Sequence, residues 1–171
     1  MYLLDSQKGA RQMTRPARRH GSAAHKRGIS DEHVCSLVAR DRTGQTVDFV
    51  AGRGQLTRAK LHACLPAVIH RDILLVTDSH PAYPGFAREF GIRHAALNLH
   101  AGIRARSTVH MQNMHAHHSR LRGWLRAFHG VATHDLPNYL GWRWILDAKR
   151  IILSESLLKA TMGSFPHLMV T

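Results

Sequence analysis

The sequence specifies a mixed α/β domain, a sheet flanked by helices, and three observations lead there. First, Ile73-Leu74-Leu75-Val76-Thr77-Asp78 is an apolar run without helical spacing, bounded by Arg71 and Asp72 before and by Ser79, His80 and Pro81 after. Such a run reads as a buried strand. Second, two extended runs, Val34–Ala39 and Gln45–Val50, are joined across the Gly-containing turn Asp41-Arg42-Thr43-Gly44, the pattern of a β-hairpin. Third, apolar residues at spacings of 3 and 4 lie between and after these runs. Strands interleaved with amphipathic helices pack as a sheet with helices on its faces.

Taken in order, Met1–Leu4 is a brief strand. A Gly-, Arg- and Lys-rich arm follows, with Lys8, Arg11, Arg15, Arg18, Arg19, Lys26 and Arg27 against the single acid Asp5. After the hairpin, Thr57 is placed to cap a helix over about Arg58 to Ile69, whose buried face is Leu61, Cys64, Leu65 and Val68. The Asp78 strand comes next, then a helix over Ala82–Phe90 stopped by Gly91, and a strand over His94–Leu99. One long helix is expected from about Thr108 to Phe128, with the apolar stripe Met114, Leu121, Leu125 and Phe128. Another starts at Leu136 and carries an aromatic face. The tail after about Lys159 has no ordered pattern. The division that follows is a partial first strand with a basic arm (1–28), a core (29–150) and a C-terminal tail (151–171).

Composition bounds the function. The 171 residues are 44% hydrophobic, enough for one globular core. No stretch approaches the roughly 20 apolar residues of a membrane span, and no signal-peptide core opens the chain, so a cytoplasmic protein without a membrane partner is expected. Cys35 and Cys64 lack CxxC spacing and read as buried thiols. The 24 Lys+Arg against 11 Asp+Glu give a net charge of +13. That balance points to a polyphosphate partner bound through counterion release, without sequence preference.

Two places carry candidate chemistry. Asp78 ends its strand, where catalytic and ligand-binding groups of α/β sheets gather; the competing reading is a cap for the helix that begins near Pro81. On the long helix, His115, His118, Ser119 and Arg122 share a face by their offsets of 3, 4 and 7. No acid occurs between Phe90 and His134, while Arg93, Arg104, Arg106, Arg120, Arg122 and Arg126 do. The zinc pattern of two histidines four apart with an intervening glutamate is absent.

Asp78 followed by a histidine on a late helix, with an arginine seven residues beyond His115, resembles the catalytic core of DDE-type transposases. Closer still, Arg27-Gly28-Ile29-Ser30-Asp31-Glu32, Asp78-Ser79, His110-Met111-Gln112-Asn113, His118-Ser119-Arg120-Leu121-Arg122-Gly123-Trp124, Phe128-His129-Gly130-Val131-Ala132-Thr133 and Leu136-Pro137-Asn138-Tyr139-Leu140-Gly141-Trp142 resemble the ISXO-type transposase domain of bacterial insertion sequences. The resemblance spans residues 2 to about 147. It implies an RNase H-like mixed sheet flanked by helices. It implies metal-dependent cleavage and transfer of DNA strands with Mg²⁺ or Mn²⁺, with Asp78 and His115 as catalytic metal ligands. It further implies DNA, both element ends and target, as partner, and allows a homo-oligomer. DNA contacts are expected at Arg122, Arg120, Arg104, Arg106, Arg18, Arg19, Lys26 and Arg27.

One departure stands out. In the family the first catalytic Asp lies in an Asp-Glu-Thr run just before a Tyr-Leu-Leu-acid-Ser stretch, and this chain opens Met1-Tyr2-Leu3-Leu4-Asp5-Ser6. Asp5 is a poor substitute, because each residue along a strand moves a carboxylate by about 3.3 Å. The expectation is a truncated, inactive transposase copy. The alternative is a non-enzymatic basic protein that binds nucleic acid through the same arm and helix.

Overall fold

A computed structural model describes residues 1–16, 24–98, 105–106, 109–147, 155 and 158. Three strands, β1 (Tyr2–Leu4), β2 (His33–Arg40) and β3 (Thr46–Arg53), form an antiparallel sheet in that order. The β2–β3 hairpin is set by its turn residues. The Asp41 Oδ1 accepts from the Gln45 N–H at 2.8 Å and from the Thr43 hydroxyl at 2.8 Å, while Gly44 supplies a left-handed φ of 95°.

The helix α1 (Arg58–Cys64) starts where Thr57 accepts the Lys60 N–H at 3.3 Å. The Lys60 ammonium then reaches back to the carbonyls of Arg53, Gly54 and Gln55, tying the helix to the end of β3. This helix stops earlier than its periodicity suggested. Pro66 has no N–H to continue the ladder, so Leu65 closes the helix and Val68 lies 42% exposed instead of joining the buried face.

A parallel pair follows: β4 (Leu74–Asp78) and β5 (Arg93–Leu97), connected through α2 (Ala82–Glu89). Gly91, with φ 64°, ends that connection as expected. Beyond it β6 (Ala105–Arg106) and β7 (Val109–His110) form a two-residue ladder. The long helix α3 therefore covers Gln112–Arg126 rather than starting near Thr108. The β-branched Thr108 and Val109 favour extended backbone, and Val109 finds a strand partner in Arg106. A 3-10 turn (Thr133–Asp135) leads into α4 (Leu136–Asp147). The expected tail after Lys159 lies outside the described residues.

Side-chain alternation along the strands builds two cores. Leu37 and Phe49 point to one face and pack with Leu61, Cys64 and Leu65 near α1 and with Phe86 and Ile92 around α2. On the other face, Leu121 and Leu125 of α3 and Leu136 and Leu140 of α4 pack on Val34. Both cysteines are buried and free. Asp5 is buried and accepts from the Thr133 hydroxyl at 2.7 Å and from the Arg53 guanidinium at 3.1 Å. It fastens the exit of β1 to the start of α4. Among the described residues, no helix is long and apolar enough to cross a membrane.

Candidate functional site

Strand β4 fixes where Asp78 points. Leu75 packs into the α1/α2 core, and Thr77 is buried on the same side, its hydroxyl 2.8 Å from His94 Nε2. By alternation Asp78 faces the opposite side, the side of α3 and α4. Its carboxylate is exposed, and Oδ1 accepts the His80 N–H at 3.3 Å. The helix-cap reading of Asp78 is overturned: α2 is capped at Pro81 without a side-chain bond. Asp78 lies three residues too early, and its carboxylate shapes the Ser79–His80 turn instead.

A cavity of about 1400 Å³ opens beside β4 and reaches the end of Asp78. It is lined by Asp78 from β4, Asp48 from β3, and Asn113, Met114, His118 and Arg120 from α3. The structure thus brings Asp78 and His118 to one cavity. His115, one turn earlier on α3, is exposed and does not line it. Among the described residues no hydrogen bond or ion pair joins Asp78 to His115. Ser119 and Arg122 are exposed along the same helix.

Electrostatics ties these groups together. Burial is the main cause that lowers the His118 pKa to about 4, helped by the Met1 ammonium, His117, His115 and Arg122. His118 is therefore neutral at pH 7, and its Nε2 has no hydrogen-bond partner. The Met1 ammonium is itself lowered, first by burial; Arg122 lowers it further while Asp78 and Asp48 oppose the shift. The end of β4, through Asp78, and the middle of α3, through Arg122, therefore both act electrostatically on the Met1 ammonium.

The buried pair beneath the cavity had no place in the sequence reading. His117 Nε2 lies 3.2 Å from Asp48 Oδ1, and both side chains are almost wholly buried. Its Nδ1 is 3.9 Å from Asp147 Oδ2. A signal existed: Met114, His117, Leu121 and Leu125 follow spacings of 3, 4 and 4, so His117 occupies a core position of the stripe.

Of the expected DNA contacts, Arg120 lines the cavity and is exposed, as are Arg122, Lys26 and Arg27. The backbone at Lys26 is held by the Glu32 carboxylate, which accepts the His25 N–H at 2.7 Å and the Lys26 N–H at 3.4 Å. Arg106 lies in β6. Arg18, Arg19 and Arg104 fall outside the described residues.

A two-ion clamp requires ligands that hold both cations about 4 Å apart. Among the described residues no group of three His, Cys, Asp or Glu side chains could hold a metal ion. Asp78 and His118 supply one carboxylate and one neutral imidazole, which does not complete such a set.

A family model described as the ISXO2-like transposase domain matches residues 9–144. No curated protein and no solved structure matches the chain.

Proposed function

The chain belongs to the ISXO2-like transposase domain family, and from that premise we propose that it binds the DNA of an insertion sequence across the α3 side of the sheet. One observation carries the reading: Asp78 at the end of β4 and His118 and Arg120 on α3 line a single cavity in a strongly basic molecule. An antiparallel hairpin sheet followed by a parallel β-α-β unit, with helices on both faces, supports an RNase H-like arrangement. Arg120 and Arg122 contact phosphate from α3, and Arg104 and Arg106 earlier in the sequence add basic charge. The arm residues Arg18, Arg19, Lys26 and Arg27 add charge from the opposite end of the domain sequence.

Transposases of this class cut and join strands with divalent metal ions, and Asp78 is the acid expected to serve that chemistry. The shared cavity favours His118 over His115 as the imidazole that accompanies it. Among the described residues these donors do not complete a two-ion set, so DNA binding is the activity this reading commits to. The cytoplasm, where such DNA resides, is the compartment that follows.

The test is duplex binding across a salt series. The logarithm of the affinity should fall linearly with the logarithm of salt concentration. Replacing Arg120 and Arg122 by Ala should make the slope shallower by about two, because each phosphate contact contributes close to one. Affinity that does not respond to salt would remove the basis of the proposal.

A further inference from the structure

Asp78 closes β4, and a strand end alone does not fix where its side chain points. Two sets of bonds hold it. On the buried side of β4, the Thr77 hydroxyl lies 2.7 Å from the Asp78 carbonyl oxygen and 2.8 Å from His94 Nε2. A carbonyl oxygen only accepts, so the single hydroxyl proton goes to Asp78. Nε2 must then carry a proton and donate it to Thr77 Oγ1. His94 comes from β5, opposite Leu75 in the parallel register, and reaches Thr77 two residues along the same face of β4. From the loop side, the Asp78 Oδ1 accepts the His80 N–H at 3.3 Å. His80 Nδ1 in turn accepts the Ala82 N–H, also at 3.3 Å, where α2 begins.

The imidazole of His94 decides where the hydroxyl proton goes. A hydroxyl is a free rotor until a donor occupies one of its lone pairs, and with Nε2–H facing Oγ1 its proton is directed to the Asp78 carbonyl. Thr77 is 5% exposed, so little solvent reaches the hydroxyl to take the place of the imidazole. Burial lowers the His94 pKa, and at pH 7 the ring holds one proton, the one on Nε2. The Tyr83 ring of α2 neighbours both imidazoles, its centroid 6.4 Å from that of His94 and 6.3 Å from that of His80. Strand β5 and helix α2 thus grip the Asp78 turn from two directions.

We propose that His94 is a positioning residue for Asp78: its Nε2–H orients the Thr77 hydroxyl onto the Asp78 carbonyl, and the strand end so held turns the carboxylate toward the DNA side of the sheet. His94 itself touches no DNA in this role and acts through Thr77. The inference rests on the reading in which Asp78 serves DNA, while the bonds that carry it form without DNA.

The experiment is nuclear magnetic resonance on the full chain, first without DNA. The imidazole nitrogen-15 spectrum at pH 7 should show His94 with a protonated Nε2 and a bare Nδ1. The opposite tautomer would overturn the proposal. Three variants follow the bond: His94→Leu removes the donor, Thr77→Val removes the hydroxyl, and His94→Gln keeps an amide N–H that can donate to Thr77. His94→Leu and Thr77→Val should each speed amide exchange at His80 by about fivefold, the equivalent of one ordinary hydrogen bond. Combining them should add nothing further, because both cut the same connection. His94→Gln should stay within about twofold of the unaltered chain. Gln faring no better than Leu, effects that add in the double variant, or unchanged exchange in every variant would each overturn the proposal. Should Thr77→Val fail to fold, the tautomer and the contrast between Leu and Gln decide. Duplex DNA added at low salt should then shift the Asp78 carboxyl carbon-13 resonance in the unaltered chain and in His94→Gln, and less in His94→Leu. An equal shift in all three would overturn the link from His94 to the DNA side. No shift in any, with the tautomer and the His80 effects intact, would sink the DNA reading and leave the positioning of Asp78 standing.

Discussion

Asp48→Ala is expected to destabilise the protein by about 3 kcal/mol or more, because removing one member of a buried pair leaves the other without its partner. Asp48 is 3% exposed and His117 is 2% exposed. Their contact joins β3 to α3 across 69 residues of sequence. Without the carboxylate, His117 would keep only Asp147, at 3.9 Å, beyond hydrogen-bonding distance. Asp48→Asn keeps an oxygen that can accept from the imidazole, so its cost should be nearer 1 kcal/mol. Denaturant midpoints for both variants decide the matter. Equal midpoints for Ala and the unaltered chain would mean that the pair does not hold α3 against the sheet.

DNA carrying the ends of an insertion sequence should survive incubation with the 171-residue chain and Mg²⁺ or Mn²⁺ uncut. Asp78 is one exposed carboxylate, and among the described residues no third donor completes a metal site with it and His118. Groups that act as a unit lose most of their effect when one is missing. Cutting that disappears in Asp78→Asn would show that the residues present already complete a site.

Features set by neighbouring residues were legible. The Thr57 cap, the Asp41–Gly44 turn and the stop at Gly91 each depend on a few adjacent side chains, and each stands where the sequence indicated. The Asp78 strand was also readable, because an apolar run between polar breaks has few other interpretations. Periodicity alone misled where a single residue overrode it. Pro66 ended α1 before Val68, and the pairing of Val109 with Arg106 delayed α3 until Gln112. Long-range pairing was the least visible. Nothing near His117 announces Asp48, since the contact exists only once α3 lies on the sheet. The same reason explains His118 and His115: both lie on a helical face with Arg122, yet only the packing of α3 decides which of them turns into the cavity with Asp78.

The central claim is that DNA lies on the α3 side of the sheet, and site-directed photo-crosslinking tests it most directly. Cys35 and Cys64 are buried, so a thiol-reactive crosslinker can be directed to one introduced cysteine. Ser119→Cys puts it on the exposed surface of α3 without removing a basic residue, and Arg88→Cys puts it on α2 across the sheet. At low salt, duplex DNA should crosslink to position 119 and only weakly to position 88. Equal crosslinking at both positions, or crosslinking at 88 alone, would contradict the account.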